Sequence, residues 1–473
     1  MKNKLILLLV LPLALLLAIS GCEGPEGPAG PIGEQGDKGD KGDPISQYTY
    51  LGDNATTCAH CHGGMVDGWL SSAHASTYEK IEAAGRHTDV YCLSCHTTGF
   101  DSPVSRGDTL LTERGPNPHG FDDYFPPQTE EDHERIQALK SVQCEACHGT
   151  MGPTIYNHRP MVEMGSNETI GENSLCTKCH SSQIDEWAGT AHGSAVPNTR
   201  ETLAEYNASF NRPAPSDCWT CHTTEGFIHT HTPSYAGRPQ PAMTSTVGCV
   251  ACHDPHNGNN PYQLRTLANR TTLNTTHETM TFSGYGTAQL CVHCHRDRRD
   301  GANVASQIER GTSHFGPHYS NQMDMFLGVG SYEIEGYTYN RTEGAHKVAL
   351  DNACVSCHVS RIARGPSHKN HSFEIAVENC QSCHPGANDL DYRGVQTEIA
   401  NLLTELKDLI GVEQSDFGNA NLTTPEQRMA AYAYNFVYAD GSKGIHNYRY
   451  AKSLLENAID YLNNINLQAD AGN

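Results

Sequence analysis

One five-residue pattern constrains this chain more than anything else in it. Two cysteines three apart are followed at once by a histidine, first at Cys58-Ala59-His60-Cys61-His62. The other copies open at Cys92, Cys144, Cys176, Cys218, Cys249, Cys291, Cys354 and Cys380. Their second cysteines are Cys95, Cys147, Cys179, Cys221, Cys252, Cys294, Cys357 and Cys383, and their histidines are His96, His148, His180, His222, His253, His295, His358 and His384. The nine copies use 18 of the 19 cysteines. This is the spacing that attaches a c-type haem: each thiol adds to one vinyl group, and the next residue brings an imidazole beneath the iron. A single pair could be half a zinc site. Nine pairs, each followed by histidine without exception, fit neither zinc ribbons nor a disulfide scaffold, so nine covalently bound c-type haems are expected, with these histidines as proximal iron ligands.

Such cofactors change what 473 residues can do. The chain is 37% hydrophobic with 44 glycines and 24 prolines, and its mean hydropathy is −0.54. A side-chain core would be thin, but large apolar macrocycles supply buried surface that side chains do not. The expected fold is mainly α with extensive loops, centred on haem, with little sheet. The net charge of −22, from 32 basic and 54 acidic residues, repels nucleic acid and favours basic or metal-bearing partners. The basic run Arg296-Asp297-Arg298-Arg299 is read as a solvated face.

Residues 1–21 read as an export signal, with Lys2 and Lys4 before an apolar run from Leu5 to Ile19 that is short for a membrane span. The ending Ile19-Ser20-Gly21-Cys22 resembles a bacterial lipoprotein processing site. It makes Cys22 the expected lipidation site, accounts for the odd cysteine, and, with Glu23 next, favours the outer membrane. Several acyl chains give stable anchoring where one does not. From Gly24 to Gly42 every third residue is glycine, the collagen period. With so few triplets and sparse proline it is read as an extended hydrophilic tether.

A longer repeat follows. His62-x6-Trp69-x4-His74 matches His180-x6-Trp187-x4-His192, Thr97-Thr98-Gly99-Phe100 matches Thr223-Thr224-Glu225-Gly226-Phe227, and the third motif (144–148) corresponds to the sixth (249–253). The expected organisation is a signal at 1–21, an anchor and tether at 22–55, triple-haem units at 56–170, 171–275 and 276–394, and a helical segment at 395–473. In that last segment Val395, Ile399, Leu402, Leu406 and Leu409 form a helical stripe stopped by Gly411. A second helix opens at Thr424-Pro425 and runs to Asp440-Gly441. A third, over about 447–465, places Ala451, Leu455, Ala458, Ile459 and Leu462 on one face.

Of 27 histidines, 18 lie outside the proximal positions. Their contexts single out eight as distal iron ligands: His74, His158, His192, His256, His318, His346, His371 and His446. A ninth is open among His87, His119, His229, His231, His277 and His314, while His60 and His293 lie inside attachment loops.

The CxxCH-x6-Trp-x4-His pattern, the CHTTGF sequel, the CEACHG motif and the closing Gly444-Ile445-His446-Asn447-Tyr448 resemble the multihaem cytochrome c superfamily, which includes cytochrome c554, the hydroxylamine oxidoreductases and the multihaem nitrite reductases. The resemblance spans roughly 56–466. It implies stacked haem pairs, bis-histidine ligation and electron transfer along a haem chain. No CxxCK motif is present, and nine haems match none of these members, so their catalytic residues do not transfer. The expectation is an exported, outer-membrane-anchored electron carrier on the periplasmic or cell-surface face. Its expected partners are other redox proteins or extracellular acceptors, with self-association into an oligomer or filament as a further possibility. The alternatives are an oxidoreductase of nitrite, hydroxylamine or a tetrathionate-like compound, and a subunit of a cytochrome filament.

Overall fold

The cysteine motifs sit on short helices. In the computed structural model, residues 50–102, 120–150, 175–193, 218–233, 245–273, 279–312, 315–341, 344–360, 370–417 and 421–471 are described. The export signal, Cys22, the tether, His119, His158, His277 and His314 lie outside them. Thr56–Leu70, Val90–His96, Cys144–His148, Thr177–Ala188, Trp219–His222, Cys249–Cys252 and Ala353–His358 all carry motif residues. Residues three apart share a helix face, so both thiols of a motif point the same way. The histidine then leaves helical geometry: His62 has φ −117° and ψ 34°, and His180 has φ −116° and ψ 36°. The molecule is mainly helical with long connections. Among the described residues the only paired strands are Arg270–Thr271 and Thr281–Phe282, which run antiparallel.

The two sequence copies build the same local frame. Trp69 Nε1 donates to the Val142 carbonyl at 2.9 Å, and Trp187 Nε1 donates to the Val247 carbonyl at 2.9 Å. Thr98 Oγ1 donates to the Ser141 carbonyl (2.8 Å) while accepting from Gln143 N (3.0 Å). Thr224 Oγ1 does the same with the Thr246 carbonyl (2.5 Å) and Gly248 N (2.8 Å). Each tryptophan helix is thereby pinned two residues ahead of the last motif of its copy.

The C-terminal segment is built differently. Helices Val395–Ile410, Pro425–Asp440 and Tyr448–Ala471 pack on a continuous side-chain core that also takes in Val304, Ile308, Phe315 and Met325. The first helix buries Ile399, Leu403, Leu406 and Ile410, a face turned slightly from the expected stripe, with Leu402 and Leu409 at its edge. The second is central and opens with a capping box at Thr424, whose side chain accepts from Gln427 N. Arg428 donates to the Ile308, Leu422 and Glu309 carbonyls, which caps the end of the helix Gly301–Arg310. The third helix runs beyond the expected end to Ala471. Among the described residues no helix is long and apolar enough to cross a membrane.

Candidate haem sites

Seven of the nine motif histidines face a second histidine across a fixed gap. The ring-centroid distances are 5.9 Å for His148–His256 and His192–His295, 6.1 Å for His222–His318 and 6.2 Å for His346–His384. They are 6.3 Å for His74–His180 and His358–His446, and 6.4 Å for His253–His371. A metal binds an imidazole nitrogen at about 2.0–2.1 Å, and that nitrogen lies about 1.1 Å from the ring centre, so two imidazoles across one metal stand about 6.3 Å apart. The pairs therefore fit an iron between them. Seven of the eight histidines singled out by sequence context occupy these positions, and His158 lies outside the described residues.

The pairing crosses the sequence copies. His74 and His192, each behind its tryptophan, face His180 and His295, the first motif histidine of the following unit. In the other direction, His256 faces His148 and His371 faces His253. Of the open candidates, His231 lies 4.5 Å from His293, too close for a metal between them. His96 Nδ1 donates to the Thr77 carbonyl (2.7 Å), and among the described residues no histidine faces it.

Burial favours the neutral form, the one that binds metal, at ten of these rings, among them His74, His180, His192, His295 and His318. It pushes His74 and His192 down to about 4, with the facing His180 and His295 adding to the effect. His318 is also pushed to about 4, by burial and then by Arg298. His446 goes the other way: burial opposes its protonation, but the charge and hydrogen bond of Asp440 raise it above the ordinary value.

The attachment cysteines of different motifs approach one another. Cys58/Cys144, Cys95/Cys179, Cys176/Cys249, Cys221/Cys294 and Cys291/Cys354 are close enough to shift each other's ionisation. Cys147 and Cys176, Cys252 and Cys291, and Cys357 and Cys380 are close enough to feel each other's charge. These approaches order the motifs as a line, first–third–fourth–sixth–seventh–eighth–ninth. The second branches off the fourth and the fifth off the seventh.

The basic run at 296–299 is not a solvated face. Asp297 is 1% exposed, and the buried Arg296 Nε and Arg298 Nε have no hydrogen-bond partner. Both arginines act on Cys221, and Arg298 acts on His222 and His318. Buried donors seek acceptors, and carboxylates such as haem propionates would satisfy these. Nothing in the sequence marked the run as lying beside the fifth motif, because the connection that brings it there is tertiary.

Residues 57–114 and 175–254 match the family described as cytochrome c554 and c-prime, over the first two motifs of one sequence copy and all three of the other. The multihaem cytochrome MtrA of Shewanella baltica (strain OS185) is 26% identical over 187 residues, 35% of this chain and 47% of that protein. Over these residues the chain is similar to multihaem c-type cytochromes. The chain spans about half the length of MtrA. The crystal structure of the outer cell wall cytochrome OcwA superposes with a TM-score of 0.48 at 18% identity, covering 87% of this chain and 99% of that chain.

Proposed function

We propose that this chain holds nine haems, one per motif, and conducts electrons along the line from the first motif to the ninth. The reading rests on one observation: seven histidine pairs at iron-spanning distance, on motifs whose cysteines approach one another. Each haem supplies a one-electron ferric/ferrous couple. The chain's own residues would hold each iron between two imidazoles, shield them from water, and fix the spacing between neighbours. The triple-haem units 56–170, 171–275 and 276–394 are then units of sequence that exchange ligands, and none completes its own set. His158 is the eighth distal ligand in this reading.

Export and lipidation at Cys22, with the tether lifting the haem region from the outer membrane, place the carrier where it can pass electrons to other redox proteins or extracellular acceptors. Intact mass should show nine covalently attached haems on a lipidated chain. Cys22→Ala should release the protein from membranes with its haems intact. A variant that still fractionates with the membrane removes the anchor from the account.

A second reading attaches to the second motif. His96 sits on a side branch, with the Thr77 carbonyl on its Nδ1, and no described histidine faces it. Should no candidate such as His119, outside the described residues, take the other side, an iron here would offer a position for nitrite, hydroxylamine or a sulfur oxyanion. Carbon monoxide binding after reduction separates the readings: one equivalent supports an oxidoreductase at this branch, and none supports a pure conduit.

A further inference from the structure

We propose that Asp440 lowers the reduction potential of the eighth motif's haem below that of the ninth, creating an uphill step near the end of the conduit. The inference rests on the reading of His358/His446 and His346/His384 as axial pairs.

One turn controls both sites. The helix Pro425–Asp440 ends at Gly441, whose φ of 76° is a left-handed conformation that glycine adopts without strain. The chain then doubles back through Ser442 to His446. Asp440, with its side chain 0% exposed, accepts from Ser442 Oγ and, at 3.3 Å, from Ser442 N. Ser442 Oγ in turn accepts from His446 N at 3.2 Å. These bonds aim the carboxylate at one target: Asp440 Oδ1 lies 2.6 Å from His446 Nδ1. The next residue back serves the neighbouring site, where the Ile445 carbonyl lies 2.9 Å from His346 Nδ1. One distal histidine thus bonds to a buried anion and the other to a neutral carbonyl.

The difference bears on the iron. A carboxylate on the outer ring nitrogen makes the imidazole a stronger electron donor through its other nitrogen. It also places a fixed negative charge near the metal, where low dielectric strengthens its effect. Both effects favour ferric over ferrous iron. Ring hydrogen bonds at four motif histidines end on neutral oxygens instead: Thr77 O for His96, Tyr262 O for His253, Gln322 Oε1 for His295 and Phe373 O for His358. The eighth site stands between the seventh and ninth in the line of motifs, so an electron bound for the ninth passes through it. The transfer oxidises one iron and reduces the next, with no proton or ligand exchanged. Asp440 acts through His446 and is a positioning residue.

The test is potentiometry of the holoprotein followed by absorption and electron paramagnetic resonance, comparing Asp440→Asn, Asp440→Glu and His446→Ala with the parent. Asp440→Asn keeps the shape and removes the charge. One low-spin haem should then titrate higher by about 59 mV or more, a tenfold change in its ferric-to-ferrous ratio. Asp440→Glu should restore most of the parent value. A midpoint set unchanged by Asp440→Asn, with every haem still low-spin, overturns the proposal. So does conversion of that haem to high spin, which would make Asp440 a support for ligation alone. His446→Ala tests the underlying reading separately: one new high-spin haem upholds the axial pair, and none removes both the pair and the inference built on it.

Discussion

The haem-bearing region and the C-terminal bundle are stabilised in opposite ways. Around the first motif the side-chain core is Ala55, Val66 and Trp69 with a few partly buried neighbours. Around the second it is a small group including Leu93, Phe100 and Phe121. The bundle instead buries whole helix faces, with Ile399, Leu406, Tyr432, Phe436, Tyr450 and Leu455 at 0–1% exposure. Short helices are marginal without packing partners. Around the first two motifs the proposed haems would supply the missing partners, whereas the bundle supplies its own. The two meet at the turn 440–446, where the bundle lends His446 to the eighth motif.

The largest expected effect breaks this contrast open. Protein made in cells unable to attach c-type haem should lose protected amides across the described helices between 56 and 252 and keep them in Val395–Ile410, Pro425–Asp440 and Tyr448–Ala471 and in the helix Gly301–Arg310 packed on them, read by hydrogen exchange. Uniform loss, or uniform protection, contradicts the division.

Next in size is the removal of a distal histidine. His192→Ala should turn one haem high-spin and open a carbon monoxide site while all haems stay attached, and His74→Ala should do the same at His180. Absorption spectra with intact mass check both. If the affected motif lies in the same unit as the mutation, the cross-unit pairing is wrong.

Smaller still is a cavity in the bundle. Leu406→Ala should cost about 2–5 kcal/mol in denaturant unfolding of the bundle, leaving the haem spectra of the first seven motifs unchanged. The smallest effect is at the tryptophan frame. Trp69→Phe removes the bond to the Val142 carbonyl at a cost of about 1–3 kcal/mol. Trp187→Phe should cost the same within error, because Val247 stands in the same place.

Much of this was legible in the chain. Cysteine spacing picked out the nine motifs, and the repeated Trp-x4-His context picked out His74 and His192, which face His180 and His295. Thr424-Pro425 and Gly411 marked helix ends that the structure keeps. What stayed hidden is tertiary. Nothing local says that His74 faces His180 rather than a histidine of its own unit, since both lie on separate short helices brought together across the copies. Asp440 read only as a helix end, and its role appears once Gly441 turns the chain back. The arginines at 296–299 read as solvated because the fifth motif they lie beside, at Cys221 and His222, belongs to another unit.

The central claim is that paired histidines close the irons. Quantitative electron paramagnetic resonance of the fully oxidised protein tests it most directly, because parallel and perpendicular imidazole planes split the iron orbitals differently. The account predicts at least seven low-spin ferric haems per chain. His148/His256, with ring planes 9° apart, should give a strongly rhombic signal, and His192/His295, at 90°, a highly anisotropic one. Fewer than seven low-spin haems, with the balance high-spin, would contradict it.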